Sequence, residues 1–331
     1  YTIGMSGNAT AYATELDEEW WDLPAAISFD TAGTSSRIRN IWGSLGAIFP
    51  TIGDGRAPGT QPRFNGTFSG AGFMLSIPEN LFDGVHGAPI EQMFANTFYN
   101  CKQIISPIPE NLFAGLAGDV TQNLFSGTFE GCAKLSGEIP ENLFAGIRGA
   151  PATDMFLATF YNCTSLSGPI PARLFSGISG APAAQMFAKT FSGCSGLTGS
   201  IPENLFAGIT GAPAVNMFEG TFNECTDLDG EIPGQLFSGI AGTPTDGIFK
   251  ETFSGCIGLT SIGSGLFDGL SGPGAANMFW KTFAGAISLT GPSAQMSDGR
   301  YLYEIWPDNA SMAYYECTGL SDYESMNTNW K

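Results

Sequence analysis

Positive charge and histidine are scarce in this sequence. The 331 residues include 13 Lys and Arg against 31 Asp and Glu, for a formal net charge of −18, and one His. Proteins that bind nucleic acid or dock on anionic membranes need a basic surface to meet phosphates. The charge balance therefore excludes nucleic acid and an anionic membrane surface as partners.

Long apolar runs and catalytic motifs are missing as well. No run approaches the ~18–20 residues of a membrane-spanning helix, so we expect no membrane insertion. The sequence has no G-x-S-x-G, no phosphate-binding P-loop and no dinucleotide-binding glycine motif. The only histidine, His86, lies in a loop without a partner motif. We therefore expect no enzymatic activity and no cofactor, in a chain whose 43% hydrophobic content is too high for a disordered protein.

A 31-residue repeat dominates the chain. Ile-Pro recurs at that interval from Ile77-Pro78 to Ile232-Pro233, and a seventh copy at Ile262 has Gly in place of Pro. Cysteines share the interval, at Cys101, Cys132, Cys163, Cys194, Cys225 and Cys256. Three Phe align in each unit, and one of these columns comprises Phe98, Phe129, Phe160, Phe191, Phe222 and Phe253. Aligned apolar columns are buried against the next unit, which predicts a solenoid.

One unit, residues 166–197, illustrates the predicted repeat. Residues 166–170 are interpreted as a short strand that pairs in parallel with its copies. Residues 171–175, which begin with Pro, are interpreted as a helical turn. From 181 to 191, apolar residues at spacings of three and four predict a helix of about three turns. The sequence therefore predicts an α/β solenoid, a right-handed stack of about seven such units with terminal caps.

The two ends depart from the repeat. We assign 1–72 to an N-terminal cap with a degenerate repeat, 73–292 to the array and 293–331 to a C-terminal cap. Because the chain starts at Tyr1, either a signal peptide has been removed or an artificial boundary falls here. A capping role is favoured for the tryptophans, because terminal units must close an open core, and a sugar-stacking platform is the alternative. They all lie in or near the ends, at Trp20, Trp21, Trp42, Trp280, Trp306 and Trp330.

The stretch from Thr190 to Pro202, TFSGCSGLTGSIP, resembles the bacterial BspA-like leucine-rich repeats. Their pattern is an aromatic residue, Cys, Leu and then Ile-Pro, and the match recurs over about residues 75–290, although those repeats are typically shorter. The resemblance implies a leucine-rich-repeat-like solenoid in a surface-exposed or secreted bacterial protein, often an adhesin. We therefore expect an extracellular or cell-surface scaffold that binds an extracellular protein or glycan. The alternative is a structural subunit that self-associates into a surface layer or filament.

The outward-facing rung positions are the candidate ligand contacts. They are Ser76, Pro107, Glu138, Pro169, Ser200, Glu231 and Ser261. These residues are small or acidic, whereas protein-binding grooves are usually rich in aromatic residues and Arg. This composition weakens the expectation of a strong protein-binding groove along the rungs.

Three polar columns have structural interpretations. Stacked cysteines point the same way, which is poor disulfide geometry, and no His or CxxC accompanies them, so buried free thiols are predicted and no metal. The Thr column is interpreted as a hydroxyl ladder on a helix flank. The acidic column is either a calcium site or a set of helix first-turn residues, and gaps at Ala172 and Gly234 favour the second. Its members are Glu79, Glu110, Glu141 and Glu203.

Overall fold

Regular secondary structure is confined to short segments in this computed structural model, which describes residues 5–12, 25–27, 29 and 39–331. Successive repeats are held together by backbone contacts between short, nearly extended or turning segments. Within the described residues the elements are parallel strands β1 (Gly118–Asp119) and β2 (Ile147–Arg148), parallel strands β3 (Gly230–Ile232) and β4 (Leu259–Ile262), helix α1 (Leu302–Ile305) and a 3-10 turn (Tyr323–Ser325).

The first contact between repeats, the rung ladder, lies where the sequence predicts the strand. Gly168 pairs in parallel with Leu197, and Gly137 pairs with Leu166. The pairing covers single residues in most repeats and lengthens to a strand pair only at β3 and β4. The buried Leu and Ile of each rung point into the core, while the residues between them face outward.

A second ladder, the return ladder, follows the Leu-Phe turn of each repeat, between the predicted turn and the predicted helix, where no strand was predicted. Gly180 pairs in parallel with Ile209, and Gly149 pairs with Ile178. The backbones approach so closely that a Cβ on Gly208 would collide with the carbonyl oxygen of Ile178. This approach explains the recurring Gly before the Ile of each return strand.

The helix predicted over 181–191 does not form, and neither do its copies in the other repeats. The segment is instead a run of turns, in which Ala188 donates its N–H to Gln185 and Thr190 donates to Phe187, at 3.0 and 3.2 Å. Every second N–H group of the segment donates to a carbonyl of the next repeat instead. Lys189, for example, donates to Glu219 at 2.7 Å. We call residues 184–194 and their equivalents the turn ladder.

Left-handed backbone at every fourth residue is the physical reason for this difference. Gln185, Lys189 and Gly193 have φ values of 53°, 55° and 73°, and one such residue suffices to interrupt a right-handed helix. Apolar spacings of three and four suit a helix face and a four-residue turn repeat equally, so they misled the prediction. The segment 171–175 is likewise a turn, closed by a Leu174 N–H that donates to Pro171 at 3.1 Å.

Asparagine and glycine alternate along part of one left-handed column of the turn ladder, at Asn100, Gly131, Asn162 and Gly193. Asn100 and Asn162 both have positive φ, and the side-chain oxygen of each lies where a Cβ on the glycine of the next repeat would be. Those glycines are Gly131 and Gly193. Asn tolerates left-handed backbone better than most residues, and Gly leaves the space that the Asn above it needs.

Three Phe columns contact one another in the core, which also contains the buried Leu, Ile, Met and Cys of the repeats. Rings stack along a column, as for Phe160 and Phe191, whose centroids are 5.7 Å apart with planes at 7°. Rings also cross between columns, as for Phe175 and Phe187 at 4.8 Å and 51°. Because each ring touches its own repeat and the next, the apolar burial that stabilises one repeat depends on its neighbours.

Aromatic side chains cover the C-terminal end of the core. Trp306 and Trp330 lie 5.9 and 5.7 Å from the ring of Phe279, between centroids. Tyr314 stacks on Phe283 at 5.0 Å, and Trp330 is 0% exposed. At the other end, Phe29 stacks on Phe68 at 5.4 Å and so continues one Phe column.

The close backbone approach in the return ladder predicts that alanine destabilises the fold much more at Gly208 than at Gly72. Gly208→Ala should lower the free energy of unfolding by about 3 kcal/mol, the upper end of the range for overpacking, because a backbone carbonyl cannot move aside as a side chain can. Gly72→Ala is the control, since neither glycine has positive φ and a Cβ on Gly72 would come no closer than 3.8 Å to another atom. Urea unfolding of both variants measures the difference, and equal losses would contradict the proposed close approach.

Candidate functional site

The seven rung positions form one column on the outer face of the rung ladder. A Cβ on Gly168 would meet the Cγ of Glu138 at 2.7 Å, and one on Gly137 would meet Pro107 at 3.2 Å, so Glu138 and Pro107 lie over the glycine of the next rung. The result is a strip of small, mostly exposed side chains without walls around it. The members of the strip, all half-buried or exposed, are Ser76, Pro107, Glu138, Pro169, Ser200, Glu231 and Ser261.

The cysteine column is buried within the stack, and all seven cysteines are free thiols. The Sγ of Cys194 donates to the carbonyl oxygen of Phe160 in the preceding repeat at 2.9 Å, and the other thiols repeat this bond. Burial raises the pKa of Cys194 and Cys256 to about 12, because a thiolate would lose its hydration there. These thiols act as small apolar residues with one weak donor each, and their reactivity is suppressed.

The Thr column is a buried hydroxyl ladder, but its flank is a turn and no helix. Thr190 Oγ1 lies 3.0 Å from the carbonyl oxygen of Phe156 and 2.8 Å from that of Phe187, so it links two repeats. Thr128, Thr159 and Thr221 make the same contacts with the repeat before them. The hydroxyls satisfy carbonyl groups that would otherwise be buried with fewer partners.

Among the described residues, neither the acidic column nor the histidine belongs to a cluster that could hold a metal ion. Glu79 and its equivalents are exposed, and no group of three or more His, Cys, Asp or Glu in the described part of the chain is arranged to hold a metal ion. His86 accepts bonds at its carbonyl oxygen from Thr51 Oγ1 and Gln61 Nε2, at 2.8 and 2.9 Å. Those contacts anchor the loop through the backbone of the histidine. Its imidazole is exposed and takes no part in them.

The tryptophans divide into different environments. Trp306 and Trp330 cover the end of the core, as capping predicts. Trp280 is half-buried, and two lysines approach its ring, Lys281 at 4.7 Å and Lys250 at 5.2 Å from Nζ to the centroid. Trp42 is 77% exposed. Trp20 and Trp21, which the sequence analysis also assigned to the cap, lie outside the described residues.

A concave site that the sequence analysis missed lies on the turn ladder near the N-terminal end. It has a volume of about 520 Å³, and Ala25, Gly66 and Ala95 form its apolar part. We call it the polar groove, after its seven polar, uncharged lining residues Asn65, Ser69, Gln92, Asn96, Tyr99, Asn123 and Ser126. The signal in the sequence was the run of amide side chains at four-residue spacing, which the helix interpretation concealed.

Backbone contacts to the next repeat hold the lining residues of the polar groove in place. Asn96 N–H donates to Ser126 at 2.7 Å, and Gln92 N–H donates to Gln122 at 3.1 Å. Gln92, Asn96 and Asn123 have φ values of 56°, 54° and 54°. Each amide therefore projects from a fixed left-handed position, and the groove is formed before any ligand arrives.

No protein-family model matches the chain, and no curated protein matches it. Among solved structures, it is similar to a crystal structure of a leucine-rich repeat protein from Bacteroides ovatus, with 16% identity over 81% of this chain and 84% of that chain. The TM-score of 0.21 is too low for the two backbones to be compared residue by residue. In the described residues, no helix has the length and apolar character needed to cross a bilayer.

The buried thiols predict a loss of stability at alkaline pH. Cys194 has a pKa of about 12 in the folded protein against an ordinary value of 9.0, so only the unfolded chain ionises between these values. Its contribution to stability is therefore complete below pH 9.0 and is lost as the pH rises toward 12. Between pH 8 and pH 10, the free energy of unfolding should therefore fall by about 1.4 kcal/mol less for Cys194→Ala than for the unmodified chain.

The measurement is urea unfolding at pH 8, 9 and 10 for the unmodified chain and for Cys194→Ala. The variant will be less stable at pH 8, because it leaves a small cavity, and only the change with pH is diagnostic. Identical changes with pH in both proteins would show that the thiol ionises as readily in the folded state as in the unfolded one.

Proposed function

We propose that this chain is a non-enzymatic repeat scaffold, extracellular or on the cell surface, that binds a protein or a glycan of its environment. The observation that carries the proposal is the polar groove, a preformed concave site set on a stack of mutually bonded repeats. Its neutral amides and hydroxyls suit recognition by hydrogen bonds, and nothing about them suits bond-breaking chemistry.

The repeat sequence supports the cell-surface assignment. The aromatic, Cys, Leu and Ile-Pro pattern resembles the BspA-like leucine-rich repeats, whose members are surface-exposed or secreted bacterial proteins and often adhesins. The formal charge of −18 keeps such a chain soluble and repels anionic surfaces. The rung strip remains the second candidate contact surface of the proposal.

Self-assembly into a layer or filament is the competing proposal. End-to-end stacking would require the last repeat to present open aromatic columns to another chain. Trp306, Trp330 and Tyr314 cover these columns instead, which argues against stacking through the C-terminal end. Terminal caps of this kind are what repeat proteins use to remain discrete.

Light scattering over a concentration series, with calcium and with chelator, separates the two proposals. We expect a constant mass near 34.8 kDa under every condition, because the C-terminal core is covered. A mass that grows with concentration would support assembly, and growth in calcium alone would make the exposed Glu column its cause. The monomer is then applied to arrays of purified extracellular glycans and matrix proteins, and absence of binding to every member would overturn the scaffold proposal.

A further inference from the structure

The composition of the polar groove points to one class of ligand. The side-chain amides of Asn96 and Asn123 bring donors and acceptors to the groove, and Tyr99 adds a ring with a hydroxyl. Sugar rings present adjacent hydroxyls that donate and accept, and their C–H faces pack on aromatic rings. A volume of about 520 Å³ lies within the usual range for small-ligand sites. We infer that the polar groove binds a neutral oligosaccharide, which deepens the proposed scaffold function and rests on it.

Backbone conformation fixes the direction from which these side chains enter the groove. Gln92 and Asn123 occupy left-handed positions, and Gly247 occupies the same column four repeats after Asn123. Non-glycine residues take this conformation throughout the turn ladder, so the backbone orients the side chains of the groove in the same way as those of the other repeats. In the groove, Gln92, Asn96 and Asn123 keep their amides at three such positions together.

Charge distinguishes a neutral sugar from an acidic one. None of the lining residues in the described part of the chain is ionisable at neutral pH, so these residues provide no cation to pair with a carboxylate or sulfate. The chain's charge of −18 adds a long-range repulsion against anionic polymers. The groove therefore suits uncharged hexose or N-acetylhexosamine oligomers over uronic acid or sulfated chains.

The test uses the whole chain and defined oligosaccharides in isothermal titration calorimetry. The neutral probes are the hexasaccharides of cellulose, maltose, mannan, xylan and chitin, and the acidic probe is a hexamer of galacturonic acid. We expect one-to-one binding of at least one neutral probe and none of the acidic one. Tyr99→Ala combined with Asn123→Gly should weaken that binding at least tenfold, because it removes the ring and one amide.

A matched control exists in the same two columns of the turn ladder. Tyr161 is half-buried like Tyr99, and Asn216 has a φ of 52°, next to 54° for Asn123. Glycine fits both left-handed positions, so neither Asn replacement should disturb the backbone. The variant with Tyr161→Ala and Asn216→Gly should bind within twofold of the unmodified chain, and urea midpoints verify that both variants fold.

Three results would overturn the inference. Equal weakening in both double variants, or in neither, would place the sugar elsewhere and leave the scaffold proposal standing. Binding of the acidic hexamer alone would refute the neutral specificity. Absence of binding by all five neutral probes at millimolar concentration would reject the ligand class, while the protein arrays decide the scaffold proposal separately.

Discussion

The structure depends on one hydrogen-bonding constraint: alternate N–H groups of the turn ladder have their acceptors in the next repeat. Where Lys189 donates to Glu219, the carbonyls three and four residues earlier in its own repeat are already engaged, one by Phe156 of the preceding repeat and the other by Ala188. A helix would satisfy its own backbone and need its neighbours only for packing. Here a single repeat would leave both its Phe rings and its backbone unsatisfied, which is why Trp330 and its companions must close the last one.

The same constraint determines where a ligand site can form. Hydrogen bonds hold the backbone of the left-handed residues in place, so the direction in which their side chains project is fixed. Some of these positions carry Gly, or an Asn whose side-chain oxygen lies over the next Gly, as at Asn100 and Asn162. Near the N-terminal end, Gln92, Asn96 and Asn123 border a hollow, although Asn96 also lies over Gly127. A rigid stack thus supplies preorganised polar groups that a loop-based site would have to order on binding.

The repeat length, the buried Phe columns and the parallel rung pairing follow from column counting and are present in the structure. The helix does not follow, because Met186, Phe187 and Phe191 have spacings common to a helix and to successive turns. Asn and Gly at some of the left-handed positions, as at Asn123, Gly127 and Gly131, were the available signal, since helices disfavour both. The polar groove depends on that backbone, so it could not be inferred while the segment was interpreted as a helix.

The alternation of Asn and Gly also bears on how such a chain avoids misfolding. Near-identical repeats invite an error in which one repeat loops out and its neighbours stack directly. In that arrangement Asn162 would lie beneath Asn100, in the space that Gly131 leaves open in the native stack. Two side chains would then compete for one position, and the shortened stack would be less stable than the complete one. Over the repeats from Asn100 to Gly193, the pattern therefore disfavours a stack from which one repeat has been omitted.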